Sequence, residues 1–256
     1  MTTGLDEVKT QVAIANRVLA ELSLATGVTA SLGHASMRVP SQPDTFVVKG
    51  RGYKIDALAL MRPEDMVVCD LEGNRVDGPP GSMQCREVKM HSCVYKVRPD
   101  VQSVVHAHPR FVVVMSVLQA TIVPMCQEGI QLVRKPLPVY PHVKTVWSDE
   151  EGMEVARTLG DSRAILLQGH GASTTGQSLE QSVTAMLHLE EQARMNWYAY
   201  CAAGPEHPRI PDALIDEMTN RPPYRELPHF KGIAEGVAQS EGGMWAYYAW
   251  KVSRDL

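Results

Sequence analysis

The chain is poor in aromatic side chains, which make up 6% of its 256 residues, with Phe occurring only three times. It also lacks the patterns that assign a class at once. No run of about 18 apolar residues exists, so no segment reads as crossing a membrane. The first residues, Met1-Thr2-Thr3-Gly4-Leu5-Asp6-Glu7, have neither a basic stretch nor an apolar core, so no signal peptide is expected. Net charge is −4 and no basic run or basic patch interleaved with aromatics occurs, which argues against a nucleic-acid partner. There is no Gly-x-Gly-x-x-Gly, hence no positive case for a dinucleotide cofactor. The five cysteines (Cys69, Cys85, Cys93, Cys126 and Cys201) are odd in number and form no Cys-x-x-Cys. They suit a reducing cytoplasm, and none has a spacing that argues for metal ligation. No low-complexity linker or internal repeat divides the chain. Its 44% hydrophobic content suffices for one core, so residues 1–256 are expected to form a single domain.

Hydrophobic periodicity outlines the elements. Val8, Val12, Ala15, Val18, Leu19 and Leu22 mark one face of a helix over residues 6–25, with Gly27 as its stop. Gly33 to Arg38 reads as a turn entering a strand, followed by short strands at Thr45–Lys49 and Met66–Asp70. A helix over 84–97 places Glu87, His91 and Tyr95 along one face. A strand from Ser103 to His108 follows, and Phe111–Leu118 is apolar but undecided between helix and strand. Pro136–His142 is extended. Ser148 and Glu151 form a capping box opening a helix to about Leu159. Ala164–Gln168 is a strand ending in the tight turn Gly169-His170-Gly171. Ser178 and Gln181 cap a long helix through Ala202, stopped by Gly204-Pro205. The tail 205–256 is proline-rich and then helical after His229. It is expected to pack as an extension on the body or on a neighbouring subunit. The sum is an α/β fold of one mixed sheet between helices, in three layers.

The chemistry gathers around Val104-Val105-His106-Ala107-His108-Pro109. A strand sends residues i and i+2 to the same face, so His106 and His108 can address one ion. Glu87 precedes them by 19 residues and His170, between two glycines, follows His108 by 62. Three imidazoles and a carboxylate would hold a divalent cation and leave room for a substrate; Mn, Fe, Co and Zn all suit these donors. His188, in an apolar helical register, reads as structural.

The order of acid, His-x-His and His-Gly also resembles a known family. The segment Glu87 to His108, with His91, Tyr95, Arg98 and Asp100 inside it, resembles the class II aldolase/adducin family. Gly33-His34-Ala35-Ser36-Met37-Arg38 resembles that family's Gly-Asn-x-Ser-x-Arg turn, and Leu166 to Gly171 resembles its third-histidine segment. The resemblance spans roughly residues 8–200. It implies a homotetramer with sites at subunit interfaces, metal held by His106, His108 and His170, and Glu87 as a ligand, the catalytic acid/base, or both.

The departures from the sugar-phosphate aldolases carry the substrate expectation. Cys85-Arg86 stands where those enzymes place two serines, His34 replaces an asparagine, and Lys49-Gly50-Arg51-Gly52 replaces a Thr-Gly. Small hydroxyls suited to phosphate thus give way to fixed positive charge suited to a carboxylate. Arg86, Lys49, Arg51, His34 and Ser36 are the expected substrate-binding residues. His91 and Tyr140 are candidates for support behind the site, and His142, His207, Tyr224 and His229 are weaker ones. The segments around Lys49–Tyr53, Met61–Val67 and Gln127–Tyr140 look most similar to the aromatic decarboxylase branch, acting on hydroxylated pyridine or benzene dicarboxylates. That resemblance favours Mn2+, with Zn2+ as the alternative. Three other readings stay open: an aldolase or epimerase on a sugar phosphate, a decarboxylase of an open-chain ring-cleavage product, and an adducin-like binding module without catalysis.

Overall fold

The computed structural model describes residues 4–25, 30–223, 226–230, 243–254 and 256, so Gly27 and Tyr224 lie outside the described residues. Helix α1 (Leu5–Glu21) is followed by strands β1 (His34–Val39), β2 (Gln42–Arg51), β3 (Met66–Asp70), β4 (Arg75–Asp77) and β5 (Met83–Gln84). Helix α2 (Val88–Val97), β6 (Ser103–Ala107), α3 (Arg110–Val117), β7 (Val139–Tyr140) and α4 (Asp149–Leu159) come next. Strands β8 (Ala164–Leu167) and β9 (Gly171–Gly176) precede helices α5 (Leu179–Ala203), α6 (Asp212–Thr219) and α7 (Met244–Val252).

The strands form one mixed sheet in the order β4-β3-β2-β1-β6-β9-β8-β7, with β5 paired to β2 beside it. Among the described residues only the β7–β8 pair is parallel. Side chains alternate between two cores, as the pleat requires. Ala35, Val47, Val68, Val105 and Leu166 face the layer of α1, α3 and α5. Phe46, Val48, Val67, Val104 and Ile165 face α2 and α4. His34, Ser36 and His106 share this second face, because His34 pairs with His106 and Ser36 with Val104 across the β1–β6 ladder. Two strand residues separated by one position thus deliver the site's polar groups to the α2 side while their neighbours build the other core.

Several elements differ from the sequence expectation, each for a local reason. The first helix ends at Glu21 rather than 25, and the chain then turns so that Leu24 and Ala25 enter the core. The helix expected from residue 84 begins at Val88; Glu87 is its N-cap, with φ −98° and ψ 31°, and Met83–Gln84 pairs with β2 instead. His108 lies just past β6. The undecided run after it is a helix, whose first-turn amides, Phe111 and Val112, donate to the half-buried Glu190 carboxylate on α5 at 3.1 Å. That carboxylate supplies the acceptor a helix start lacks and suits the positive end of the helix dipole.

Strand β9 was not expected, since Gly-Ala-Ser-Thr-Thr-Gly has no bulky residue to signal a strand. It lies in the middle of the sheet, buried throughout, where small side chains fit beneath α5. The Ser148 capping box forms as expected, its hydroxyl accepting from Glu151 N while Glu151 accepts from Ser148 N. The box expected at Ser178 forms by half, the hydroxyl accepting from Gln181 N while the Gln181 side chain turns to Gln177 N. Within the tail, α6 was also unexpected. Arg134 anchors it through Asp216 at 2.7 Å, and α7 lies on α1, where Arg17 donates to Val252 O at 2.8 Å. Residues 231–242, part of the stretch expected to be helical after His229, lie outside the described residues.

Candidate metal centre and substrate cavity

Each ligand candidate is fixed by backbone rather than by its own rotamer freedom. His106 is the last residue but one of β6 and is wholly buried, and His108 follows just past the strand, ahead of Pro109. His170 sits in the β8–β9 turn, whose closure is a bond from His170 N to Leu167 O at 3.0 Å. Gly169 takes φ +68° there, a left-handed conformation that glycine adopts at little cost. At Gly171 a Cβ would stand 2.3 Å from Ala107 O, so the turn can lie this close to β6 only with glycine. Glu87 enters from the start of α2, held by a bond from Val146 N to its Oε1 at 3.2 Å.

These four side chains converge. Their candidate donor atoms all lie within 4.8 Å of one another. His106 Nε2 is 3.0 Å from His108 Nε2 and 3.4 Å from Glu87 Oε2, while His170 Nε2 is 3.5 Å from Glu87 Oε1. Donors at about 2.05 Å from a tetrahedral ion are separated by about 3.3 Å. The observed edges bracket that value, so the donor set fits a divalent cation. The outer nitrogen of His106 faces Ser173 Oγ at 3.3 Å, which suits the tautomer with a bare Nε2. His170 Nδ1 is buried without a hydrogen-bond partner, which leaves the orientation of that ring to its turn and to whatever its Nε2 binds.

Electrostatics keep the cluster ready for a cation. Burial pushes the Glu87 carboxyl upward, but His106, His170 and His34 outweigh it and hold it well below the usual carboxylate range. Burial lowers His34 to about 4 and His108 to about 2, so both imidazoles are neutral near pH 7.

A cavity of about 140 Å³ opens over the cluster, lined among others by His34, Arg51, Arg86, Glu87, His108 and His170. Larger clefts of about 290, 430 and 470 Å³ lie beside α3 and the Gln127–Pro138 segment, but none contains a converging ligand set. Arg86 is exposed at the cavity wall, and Arg51 is partly buried with its Nε 3.0 Å from Asp56 Oδ2. The same Asp56 accepts from Lys49 Nζ at 2.7 Å. Lys49 is buried and does not line the cavity; its desolvation lowers its pKa against the pull of Asp56. Ser36 is also off the cavity, bonded to His91 Nδ1 and Tyr95 Oη at 2.7 Å each. Tyr140 donates to Glu154 at 3.2 Å, on the flank of α4. His142, His207 and His229 do not line the cavity. Ser173 and Val146 had no sequence signal, whereas Cys85 was marked only as standing where a serine is found in the aldolases. The first two hold a ligand, and the buried Cys85 thiol groups with His34 and His91.

Residues 10–197 match the Class II Aldolase and Adducin N-terminal domain. The chain belongs to the class II aldolase and adducin family. Within it, the chain is 31% identical over 216 residues to the 3,4-dihydroxyphthalate decarboxylase of Arthrobacter keyseri, covering 81% of this chain and 84% of that protein. It is 29% identical over 211 residues to the enzyme of the same name from Rhodococcus jostii, covering 79% and 84%. Among solved structures, the L-fuculose 1-phosphate aldolase from Glaciozyma antarctica superposes with a TM-score of 0.74 at 20% identity, over 96% of this chain and 88% of that one. This class II aldolase likeness fits the mixed sheet and its helical layers, and Glu87, His106, His108 and His170 form a candidate divalent-metal cluster within it. No helix among the described residues is long and apolar enough to cross a membrane.

Proposed function

We propose that this class II aldolase relative is a metal-dependent carboxy-lyase that removes one carboxylate from a hydroxylated aromatic dicarboxylate. The observation carrying this reading is the juxtaposition of a four-donor cluster with two arginines, Arg51 and Arg86, on the wall of one small cavity. Its likeness to dihydroxyphthalate decarboxylases supports the same substrate class.

His106, His108, His170 and Glu87 would hold the ion, Mn2+ first and Zn2+ as the alternative. When bound, such an ion supplies a Lewis acid that draws electron density from the ring hydroxyl and the adjacent carboxylate. The protein residues do the rest. Arg86 and Arg51 bind the second carboxylate and set the orientation of the ring. Glu87, ionised at rest, takes the proton of the ring hydroxyl and returns it to the carbon that carries the departing carboxylate. The carbon–carbon bond breaks as carbon dioxide leaves, and the product hydroxyl is reprotonated from solvent.

The assembly belongs to the same proposal: a homotetramer with sites at subunit interfaces. Exposed Val117 and Val143 flank Gly169 beside the His170 turn, and exposed Trp147 is close in sequence, the kind of apolar surface a neighbouring subunit would cover.

The test is to load the purified protein with Mn2+ and incubate it with 3,4-dihydroxyphthalate and with hydroxylated pyridine dicarboxylates, following released carbon dioxide. Release that needs the ion and disappears in His106→Ala is expected. Retro-aldol cleavage of fuculose- or ribulose-type phosphates without decarboxylation would replace this reading with the sugar-phosphate one. Protein that retains no metal and turns over neither class would point to a binding module.

A further inference from the structure

Four polar side chains form one file leading to the cavity. Tyr95 Oη lies 2.7 Å from Ser36 Oγ, Ser36 Oγ lies 2.7 Å from His91 Nδ1, and His91 Nε2 lies 2.6 Å from His34 Nδ1. The far nitrogen of His34, Nε2, then faces Glu87 Oε2 across 3.9 Å at the cavity wall. Ser36, His91 and Tyr95 are at most 2% exposed, so solvent does not supply their partners.

Cys85 also approaches both histidines, and the three side chains have the makings of a second metal group. The distance between the rings decides against it. A separation of 2.6 Å is that of a hydrogen bond, whereas two nitrogens on one tetrahedral ion stand about 3.3 Å apart.

A file of this kind has two senses. In the outward sense, Tyr95 donates to Ser36 Oγ and the Ser36 hydroxyl donates to His91 Nδ1. His91 Nε2–H donates to His34 Nδ1, and His34 Nε2 carries a hydrogen into the cavity. In the inward sense every hydrogen points back, and His34 Nε2 is a bare lone pair beside the Glu87 carboxylate. Two acceptors face to face, on side chains no more than a tenth exposed, are costly. The outward sense removes that conflict and leaves every member of the file with a partner. At 3.9 Å Glu87 does not use up the hydrogen on His34, which remains open to an acceptor entering the cavity.

We propose that Ser36 and His91 are positioning residues that fix His34 as the Nε2–H tautomer, a directed donor to an anionic oxygen of the bound substrate beside Glu87. The substrate half of this inference rests on the cavity being the decarboxylase site; the tautomer half does not. The file adds a selection rule to the charge of the arginines. Whatever lies next to Glu87 must present an acceptor, a carboxylate or ionised hydroxyl oxygen, and an analogue presenting a donor there is rejected.

Neutron diffraction from deuterated crystals of the metal-loaded protein reads the tautomer directly. Deuterium is expected on Nε2 of both His34 and His91, with both Nδ1 atoms bare. Deuterium on His34 Nδ1 would overturn the proposal. In parallel, Ser36→Ala should raise KM for 3,4-dihydroxyphthalate about ten-fold with a smaller change in kcat, and Ser36→Thr, which returns the hydroxyl, should restore it. An unchanged KM in Ser36→Ala would also overturn it. If Ser36→Ala does not fold, the wild-type neutron map alone decides. Deuterium in the expected places on a protein that turns over no aromatic dicarboxylate would uphold the file and sink only the substrate.

Discussion

Ser173 stands opposite His106 in the β6–β9 ladder, with its hydroxyl 3.3 Å from the imidazole Nδ1. The same hydroxyl donates to Met90 Sδ at 3.1 Å, so its oxygen is free to accept from the histidine. Ser173→Ala removes that acceptor without touching a ligand. Metal affinity should fall about ten-fold or more, the usual cost of losing an outer support. Titration of the metal-free protein with Zn2+ measures it; an unaltered affinity would release Ser173 from this role.

Glu87→Gln keeps the shape of the side chain and removes its charge. Both bound metal and turnover should drop, with kcat down at least about a hundred-fold if Glu87 also moves the proton. Metal content by elemental analysis separates the two effects. A variant that stays fully loaded yet inactive places Glu87 in proton transfer; one that loads poorly and recovers activity with excess metal makes it chiefly a ligand.

Arg86→Ala and Arg51→Ala should each raise KM for a dicarboxylate about ten-fold or more, since each removes a charge-assisted contact. The monocarboxylate analogue lacking the second acid group should show little change. Equal effects on both compounds would mean that the arginines act on something other than the second carboxylate.

The start of α4 gives a pH prediction remote from the site. Glu151 accepts from Trp147 N at 2.8 Å and Ser148 N at 3.1 Å and pairs with Lys144 at 3.0 Å. The backbone bond from Trp147, then Lys144 and Ser148, pull its carboxyl from an ordinary 4.5 down to about 2. A carboxyl lowered on folding adds stability that is complete above its unfolded value and fades as pH falls through its folded one. Glu151→Ala should therefore cost about 1 kcal/mol near neutral pH, and the gap to wild type should close between pH 4.5 and about 2. Denaturant melts at both ends of that range check it; a gap of constant size contradicts the assignment.

The fold was most legible where local chemistry decides local structure. Met66–Asp70 matches β3 end to end, and Ser148 and Ser178 mark the starts of α4 and α5 because a capping hydroxyl acts within one turn. It was least legible where a partner distant in sequence decides. Phe111–Leu118 was undecided because the acceptor that fixes its helix, Glu190, lies 79 residues from Phe111. The strand Gly171–Gly176 is read from its neighbours β6 and β8, not from its own side chains.

The cluster shows the same division. His106, His108, His170 and Glu87 were visible as residue types at suggestive separations, while the supports Ser173 and Val146 were not. A serine in a strand and a loop amide carry no signal until the sheet is assembled. The pairing of Lys49 and Arg51 with Asp56 was likewise invisible, since a charge in a sequence does not announce its partner.

The glycine after the third histidine ties two distant parts of the chain into one rigid piece. With its backbone lying against the carbonyl of Ala107, the β8–β9 turn has no side-chain cushion to absorb movement of the neighbouring strand. A tilt of β6 would carry the imidazole at 170 along with those at 106 and 108. The spacing of all three nitrogens is therefore set by the stiffness of the sheet, and substrates must adapt to the trio instead of reshaping it.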